Sequence, residues 1–194
     1  MYGSSDTDLT SLLVRGDRAA AAALPAGPAL RKEKNGILQA LTDAHLRGEL
    51  PFCQLTAAAQ AAAALFDDRL PPVACSGAVA GNTSLTGQDY MLMLLRAWGV
   101  PTIDLGADVP AADFLAAVKR FRLRYVICEV FTGADLAAVR QIHEAAGAAG
   151  IREDFELLTA GAALPAEALK AMGIRCMAHQ AAAVAEWVVD QWKP

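Results

Sequence analysis

The stretch Gly81-Asn82-Thr83-Ser84-Leu85-Thr86-Gly87 follows the apolar run Val73–Val79 and leads into the helical pattern of Gln88–Trp98. A short strand-like run, a small and polar loop, and an amphipathic helix are the parts of one βα unit. The same order recurs along the chain. Strands are predicted at Pro101–Leu105, Tyr125–Val130, Glu156–Thr159 and Arg175–Ala178, and helices at Ala111–Phe121, Ala134–Ala148, Pro165–Met172 and Gln180–Trp192. Parallel neighbours need crossover helices, so five such units imply a parallel sheet covered on both faces by right-handed connections. Pro110 at a helix start and Gly99, Gly150 and Gly173 past helix ends support the frame. The expected class is α/β, a flavodoxin-like (Rossmann-like) five-stranded sheet.

Before this region the pattern differs. From Asp8 to Phe66, Ala- and Leu-rich segments recur at helical spacing, broken by Pro25, Pro28 and Gly48-Glu49-Leu50-Pro51. Three or four helices are expected there. Asp67-Asp68-Arg69-Leu70-Pro71-Pro72 is a polar, proline-bearing connection, which sets the expected domains at 1–68, a small helical cap, and 69–194, the sheet.

Composition narrows the function. With 55% hydrophobic residues in 194 there is material for a buried core, and a net charge of −4 speaks against bulk attraction to nucleic acid or anionic membrane. Arg31-Lys32-Glu33-Lys34 is a basic cluster too short to change that. Apolar runs such as Gln54–Leu65 are too short to span a bilayer, and Met1 opens no signal peptide, so cytoplasm is expected. Cys53, Cys75, Cys128 and Cys176 lack Cys-x-x-Cys spacing and are expected as buried reduced thiols. No His-Glu-x-x-His pattern points to zinc, and no phosphate-loop or dinucleotide glycine motif is present.

In an open parallel sheet the ligand crevice lies beyond the carboxyl ends of the strands, beside the first. The loops there are Gly81–Gly87, Glu129–Gly133 and Gly161–Leu164. Gly87 at a helix mouth permits close approach of a ligand to backbone, and the Gln88 and Asp89 amides offer an anion or amide site. Ser76 and Ser84 have no neighbouring base to activate them as nucleophiles. Glu129 and Asp135 are read as an acid–base pair or as helix-terminal charges.

The loop, the helix after it, and Thr102-Ile103-Asp104-Leu105-Gly106-Ala107-Asp108-Val109-Pro110 together resemble the cobalamin-binding module of corrinoid methyltransferase and methionine synthase proteins. Gly48-Glu49-Leu50-Pro51-Phe52-Cys53-Gln54-Leu55 is similar to part of that family's helical cap, Thr159-Ala160-Gly161 to its Gly-Gly turn, and Gln180-Ala181 to the opening of its last helix. The resemblance covers most of the chain. It implies cobalamin as cofactor and a partner methyltransferase or activating protein, with homo-oligomers open and neither nucleic acid nor membrane as partner. It also implies a cofactor-carrying subunit of a methyltransferase system rather than an independent enzyme.

The departures fall where the cofactor sits. The family's Asp-x-His-x-x-Gly, whose His ligates cobalt from below, reads Asn82-x-Ser84-x-x-Gly87 here. Serine is too short and too hard to replace imidazole on cobalt, and Asn82 lacks the carboxylate that orients it. Small residues after the third strand are replaced by Glu129-Val130-Phe131, putting a carboxylate and a large ring in the channel that takes the cofactor's nucleotide tail. The resemblance carries cofactor-binding roles to Asn82, Thr83, Ser84, Leu85, Gly87, Glu129, Phe131, Thr132, Gly133, Ala160 and Gly161. His45 falls near the cap residue over the upper corrin face, where it is either an axial imidazole or a helix-surface residue. His143 and His179 are read as a surface group and a loop residue, and Trp187 and Trp192 as packing on the sheet. The expectation is a corrinoid carrier with non-standard or weakened cofactor binding. The alternative is a cofactor-free relative acting as a regulatory or interaction domain.

Overall fold

The structure is a computed structural model, and it describes residues 9–24, 28–63, 65, 70–84, 86–160, 166–176 and 181–192. The chain divides into two compact units, Met1–Asp68 with Met93–Gly99, and Arg69–Leu92 with Val100–Pro194.

The first unit is built on α1 (Leu9–Arg15), α2 (Arg18–Ala22), α3 (Pro28–Leu46) and α4 (Phe52–Ala63). Helix α4 is the hub, touching α1, α2 and α3. Its buried side is Leu55, Ala58, Ala59, Ala61 and Ala62, and alanine gives a smooth surface on which leucines of other helices settle closely. Leu9, Leu12, Leu13 and Leu38 supply the bulk. At the α1–α2 turn, Gly16 has φ +68 and lies so near α4 that a Cβ would meet that of Ala57 at 3.0 Å. The Asp17 carboxylate then caps α2 by accepting from the Ala20 amide at 3.0 Å.

The second unit is the sheet. Strands β1 (Ala74–Ala78), β2 (Thr102–Asp104), β3 (Tyr125–Glu129), β4 (Glu156–Ala160) and β5 (Arg175–Cys176) run parallel in the order β2-β1-β3-β4-β5. This is the flavodoxin-like order that the alternating pattern predicts. Helices α5 (Thr86–Ala97), α6 (Ala111–Phe121), α7 (Gly133–Ala148), α8 (Ala166–Ala171) and α9 (Ala181–Gln191) occupy the predicted positions. A 3-10 turn, Arg152–Asp154, precedes β4.

Side-chain alternation assigns the two faces. Cys75, Val126, Cys128 and Leu157 form one core with Phe114, Leu115 and Val118 of α6 and Val139 and Ile142 of α7. The other face carries Tyr125, whose ring meets Trp187 of α9 edge-on at 5.9 Å. Buried on both faces, β1 and β3 read as unbroken apolar runs rather than as alternation. The predicted glycines past helix ends, Gly99, Gly150 and Gly173, have φ of 83, 68 and 68. Helix α6 stops instead on Arg122, a side-chain-bearing residue in the left-handed region at φ 54.

Gly77 in β1 is a packing requirement, since a Cβ would stand 3.0 Å from Phe114 Cζ and 3.2 Å from Leu105 Cβ. Gly77→Ala is expected to lower stability by about 1–3 kcal/mol through overpacking. Gly36, within α3 with nothing within 4 Å of a built Cβ, is the opposite case. Gly36→Ala is expected to raise stability by about 0.5–1 kcal/mol. Urea midpoints at unchanged slope read both; a neutral Gly77→Ala would show that Phe114 has room to move.

Candidate functional site

At the carboxyl end of the sheet the register sets Ala78, Glu129 and Ala160 side by side on β1, β3 and β4. Cross-strand partners in a parallel sheet point to the same face, so Glu129 stands between two alanines on the face opposite the α6–α7 core. It is buried, with 8% of its surface exposed. The predicted strand-end carboxylate is thus placed among small neighbours.

The loop after β1 is held by the loop after β2. Val79 and Val109 form a single parallel bridge. Asp108 accepts the Gly81 amide on Oδ1 at 2.7 Å, and its own amide donates to the Asn82 carbonyl at 2.9 Å. To do this Asp108 takes φ 53, a conformation short polar side chains tolerate better than others. Asp108 is a loop-positioning residue not singled out from the sequence, although an Asp two residues past Gly106 and before Pro110 is a visible turn signal.

Inside that loop the Asn82 side chain serves the loop itself. Its Oδ1 accepts the Ser84 amide at 2.9 Å, closing an Asx turn, and its Nδ2 donates a long 3.5 Å bond to the Glu129 carbonyl. Asn82 is buried, whereas Thr83 and Ser84 are exposed. Asn82 and Glu129 are therefore in direct contact, linking the loop to the end of β3. Gly87, predicted as the last loop residue, lies in the first turn of α5, which begins at Thr86.

After β3 the chain turns into α7 through a capping box. Thr132 Oγ1 accepts the Asp135 amide at 3.3 Å, and the Asp135 carboxylate accepts the Phe131 and Thr132 amides at 2.8 and 2.9 Å. Asp135 is the helix-terminal charge of the two readings offered for it, and its Oδ2 is engaged by two backbone amides. Phe131 is 41% exposed, Thr132 is exposed, and Gly133 is the first residue of α7. Ala160 is the last residue of β4 and is buried. Leu85, Gly161 and His179 lie outside the described residues.

His45 sits at the end of α3 in the helical unit. Its Nδ1 lies 3.0 Å from the Leu50 carbonyl, an acceptor only, so Nδ1 is the donor of this bond. The ring lies 5.7 Å from that of Phe52. His143, read as a surface group, instead accepts from Arg152 Nε on its Nδ1 at 2.8 Å. Among the described residues no group of three or more His, Cys, Asp and Glu side chains could hold a metal ion. No helix among them is long and apolar enough to cross a membrane.

The cysteines divide. Cys75 and Cys128 are buried on neighbouring strands, and burial pushes the Cys75 thiol up to about 12 and the Cys128 thiol well above its ordinary range. Cys53, expected with them, is exposed, because it lies in the first turn of α4 away from the Leu55–Ala62 side.

No family model matches the chain. It is 28% identical over 86 residues to the trimethylamine corrinoid protein of Methanosarcina barkeri, 44% of this chain and 40% of that one. The chain thus aligns with about two fifths of the length of that relative. The fold match runs further: TM-score 0.75 at 20% identity to a cobalamin-binding protein from Desulfitobacterium hafniense, covering 96% of this chain and 89% of that one. The chain shares its fold with that protein. The methanol:cobalamin methyltransferase complex MtaBC of Methanosarcina barkeri gives TM-score 0.74 at 18% identity, over 99% of this chain and 83% of that one.

Two measurements check the geometry. Asp108→Ala removes the Gly81 acceptor and places alanine at positive φ, and is expected to cost about 1–3 kcal/mol with faster hydrogen exchange at Gly81. In a Cys176→Ser background only Cys53 is expected to react quickly with a thiol reagent at pH 8, since a pKa of about 12 leaves Cys75 roughly one part in ten thousand thiolate. The raised thiol values also fix the sign of pH dependence. The folded state keeps protons that the unfolded chain releases above its ordinary thiol range, so this contribution is intact below pH 8 and lost as pH climbs toward 12.

Proposed function

We propose that this chain is a corrinoid carrier: it holds a cobalamin-type cofactor at the Asn82–Ser84 and Glu129 end of the sheet and presents it to a partner methyltransferase. The observation that carries the reading is the match to a cobalamin-binding protein over 96% of the chain, helical unit included.

The residues fit a corrinoid retained by its macrocycle and periphery. They do not fit one anchored through a loop imidazole, because the loop supplies the exposed Ser84 hydroxyl where the related proteins have histidine, and the Asn82 oxygen is engaged by the Ser84 amide. Thr83, Ser84 and the exposed Thr132 hydroxyl are the side chains available to amide and phosphate groups of such a cofactor. With Nδ1 held by the Leu50 carbonyl, the neutral ring of His45 would leave Nε2 as the nitrogen able to ligate a metal. When bound, the cofactor's cobalt supplies the methyl-transfer chemistry, while the protein sets axial ligation and access. Binding is weakened relative to the related proteins by Glu129, whose buried carboxylate between Ala78 and Ala160 disfavours an apolar tail beside it.

A second reading, a cofactor-free interaction domain, is favoured by that same Glu129. Mixing the protein with hydroxocobalamin or methylcobalamin and desalting separates the two. Colour that stays with the protein is expected. Glu129→Ser is expected to tighten cobalamin by about tenfold while leaving cobinamide, which lacks the tail, unchanged. A spectrum that shifts in His45→Ala identifies that imidazole as a cobalt ligand. Colourless protein at high micromolar cofactor, in both the native chain and Glu129→Ser, would leave the second reading standing.

A further inference from the structure

The amino-terminal end of the sheet carries a different chemistry. A cleft of about 390 Å³ opens there, lined by Arg124, Tyr125, Glu156, Arg175 and Trp187 among others. Arg175 lies over the Trp187 ring at 4.4 Å, Arg124 lies over the Tyr125 ring at 5.7 Å, and the two rings meet edge-on at 5.9 Å. The four side chains form one continuous row, guanidinium, phenol, indole, guanidinium, along the cleft.

The third arginine is spent on structure. Arg152 donates to His143 Nδ1, to the Phe155 carbonyl at 3.3 Å and to the Gly173 carbonyl at 2.9 Å, tying α7 to the segments that enter β4 and β5. Arg124 and Arg175 make no ion pair or side-chain hydrogen bond among the described residues, and both are exposed. A guanidinium stacked on a ring is oriented through its face, leaving its N–H donors in plane for an acceptor. The ordering entropy that an anion would otherwise meet is thereby reduced.

The surrounding charge agrees in sign. Lys119, Arg120, Arg122 and Arg124 place four cations within six residues immediately before β3, one more than Arg31–Lys34 carries. Lys119, Arg120 and Arg122 are exposed. Three carboxylates, Glu153, Asp154 and Glu156, line the same cleft and offset part of this field. Long-range attraction is therefore small, and recognition has to come from direct in-plane contact.

We infer that this cleft is an oxyanion site for a ligand with more than one anionic group, in which Arg124 and Arg175, at the two ends of the row, each hold a phosphate or carboxylate edge-on. It lies at the strand starts, whereas the corrinoid reading concerns the strand ends, so the two stand or fall separately. Inorganic pyrophosphate and tricarballylate, titrated calorimetrically into the full chain at low salt, test it and distinguish the two oxyanion sources. Binding of either probe is expected, weakened about tenfold or more in Arg175→Gln and in Arg124→Gln, and strengthened several-fold in Glu156→Gln. All three positions are exposed, and unchanged circular dichroism confirms that the variants fold. No binding of either probe at millimolar concentration, equal binding by the arginine variants, or weaker binding by Glu156→Gln would each overturn the assignment.

Discussion

The pairing of β1 with β3, in register from Ala74 opposite Tyr125 to Ala78 opposite Glu129, is the constraint on which the sheet unit's candidate sites depend. In a parallel ladder every residue on one strand is matched to one on the next, so the two ends of the sheet are fixed together. One residue of slip would carry Glu129 to the α6–α7 core and Cys128 to the other face. The slip is blocked on the core side by Gly77, whose missing Cβ is the space occupied by Phe114 and Leu105. The buried thiols of Cys75 and Cys128 belong to the same arrangement, since a charged thiolate in that core would be opposed by desolvation.

From that frame the loops inherit their positions. The bridge between Val79 and Val109 extends the β1–β2 side one step past the regular strands, and Asp108 converts the extension into a clamp on Gly81 and Asn82. A residue in the left-handed region is locally unfavourable by about 1 kcal/mol or more, and here it persists because two hydrogen bonds over-determine it. The clamp explains how a loop without histidine keeps a defined shape. Within it the Asn82 side chain accepts from the Ser84 amide and donates to the Glu129 carbonyl.

The βα order, the strand sequence and the helical segments were legible because apolar runs and helical periodicity are local signals, and the glycines after α5, α7 and α8 marked ends that chirality requires. The site was legible only in part. Asn82, Glu129 and Asp135 could be named from loop position, but whether Asp135 was a catalytic acid or a cap depended on the Phe131 and Thr132 amides. Asp108 was missed because its partner, Gly81, is 27 residues away in sequence. The bond of His143 to Arg152 was not legible either: Arg152 comes from the far side of a turn, and nothing in the helix around His143 signals it. The distal arginines are hidden from a count of net charge, since −4 overall conceals four cations between Lys119 and Arg124.

The two ends of β3 thus carry opposite chemistry on one rigid element. Arg124 and Tyr125 stand at its start and Glu129 at its finish, about 17 Å apart at the rise of an extended strand. A strand buried on both faces has one packing arrangement, and coupling between sites needs an element with two. An anion held by Arg124 and Arg175 therefore leaves Glu129 and Asn82 as they are, and a ligand at the strand ends leaves the arginine row as it is. For the carrier proposed above this separation is useful. A contact made through the arginine row does not occlude the crevice, so a molecule bound at one end of the sheet and a cofactor at the other can be held together without competition for the same surface.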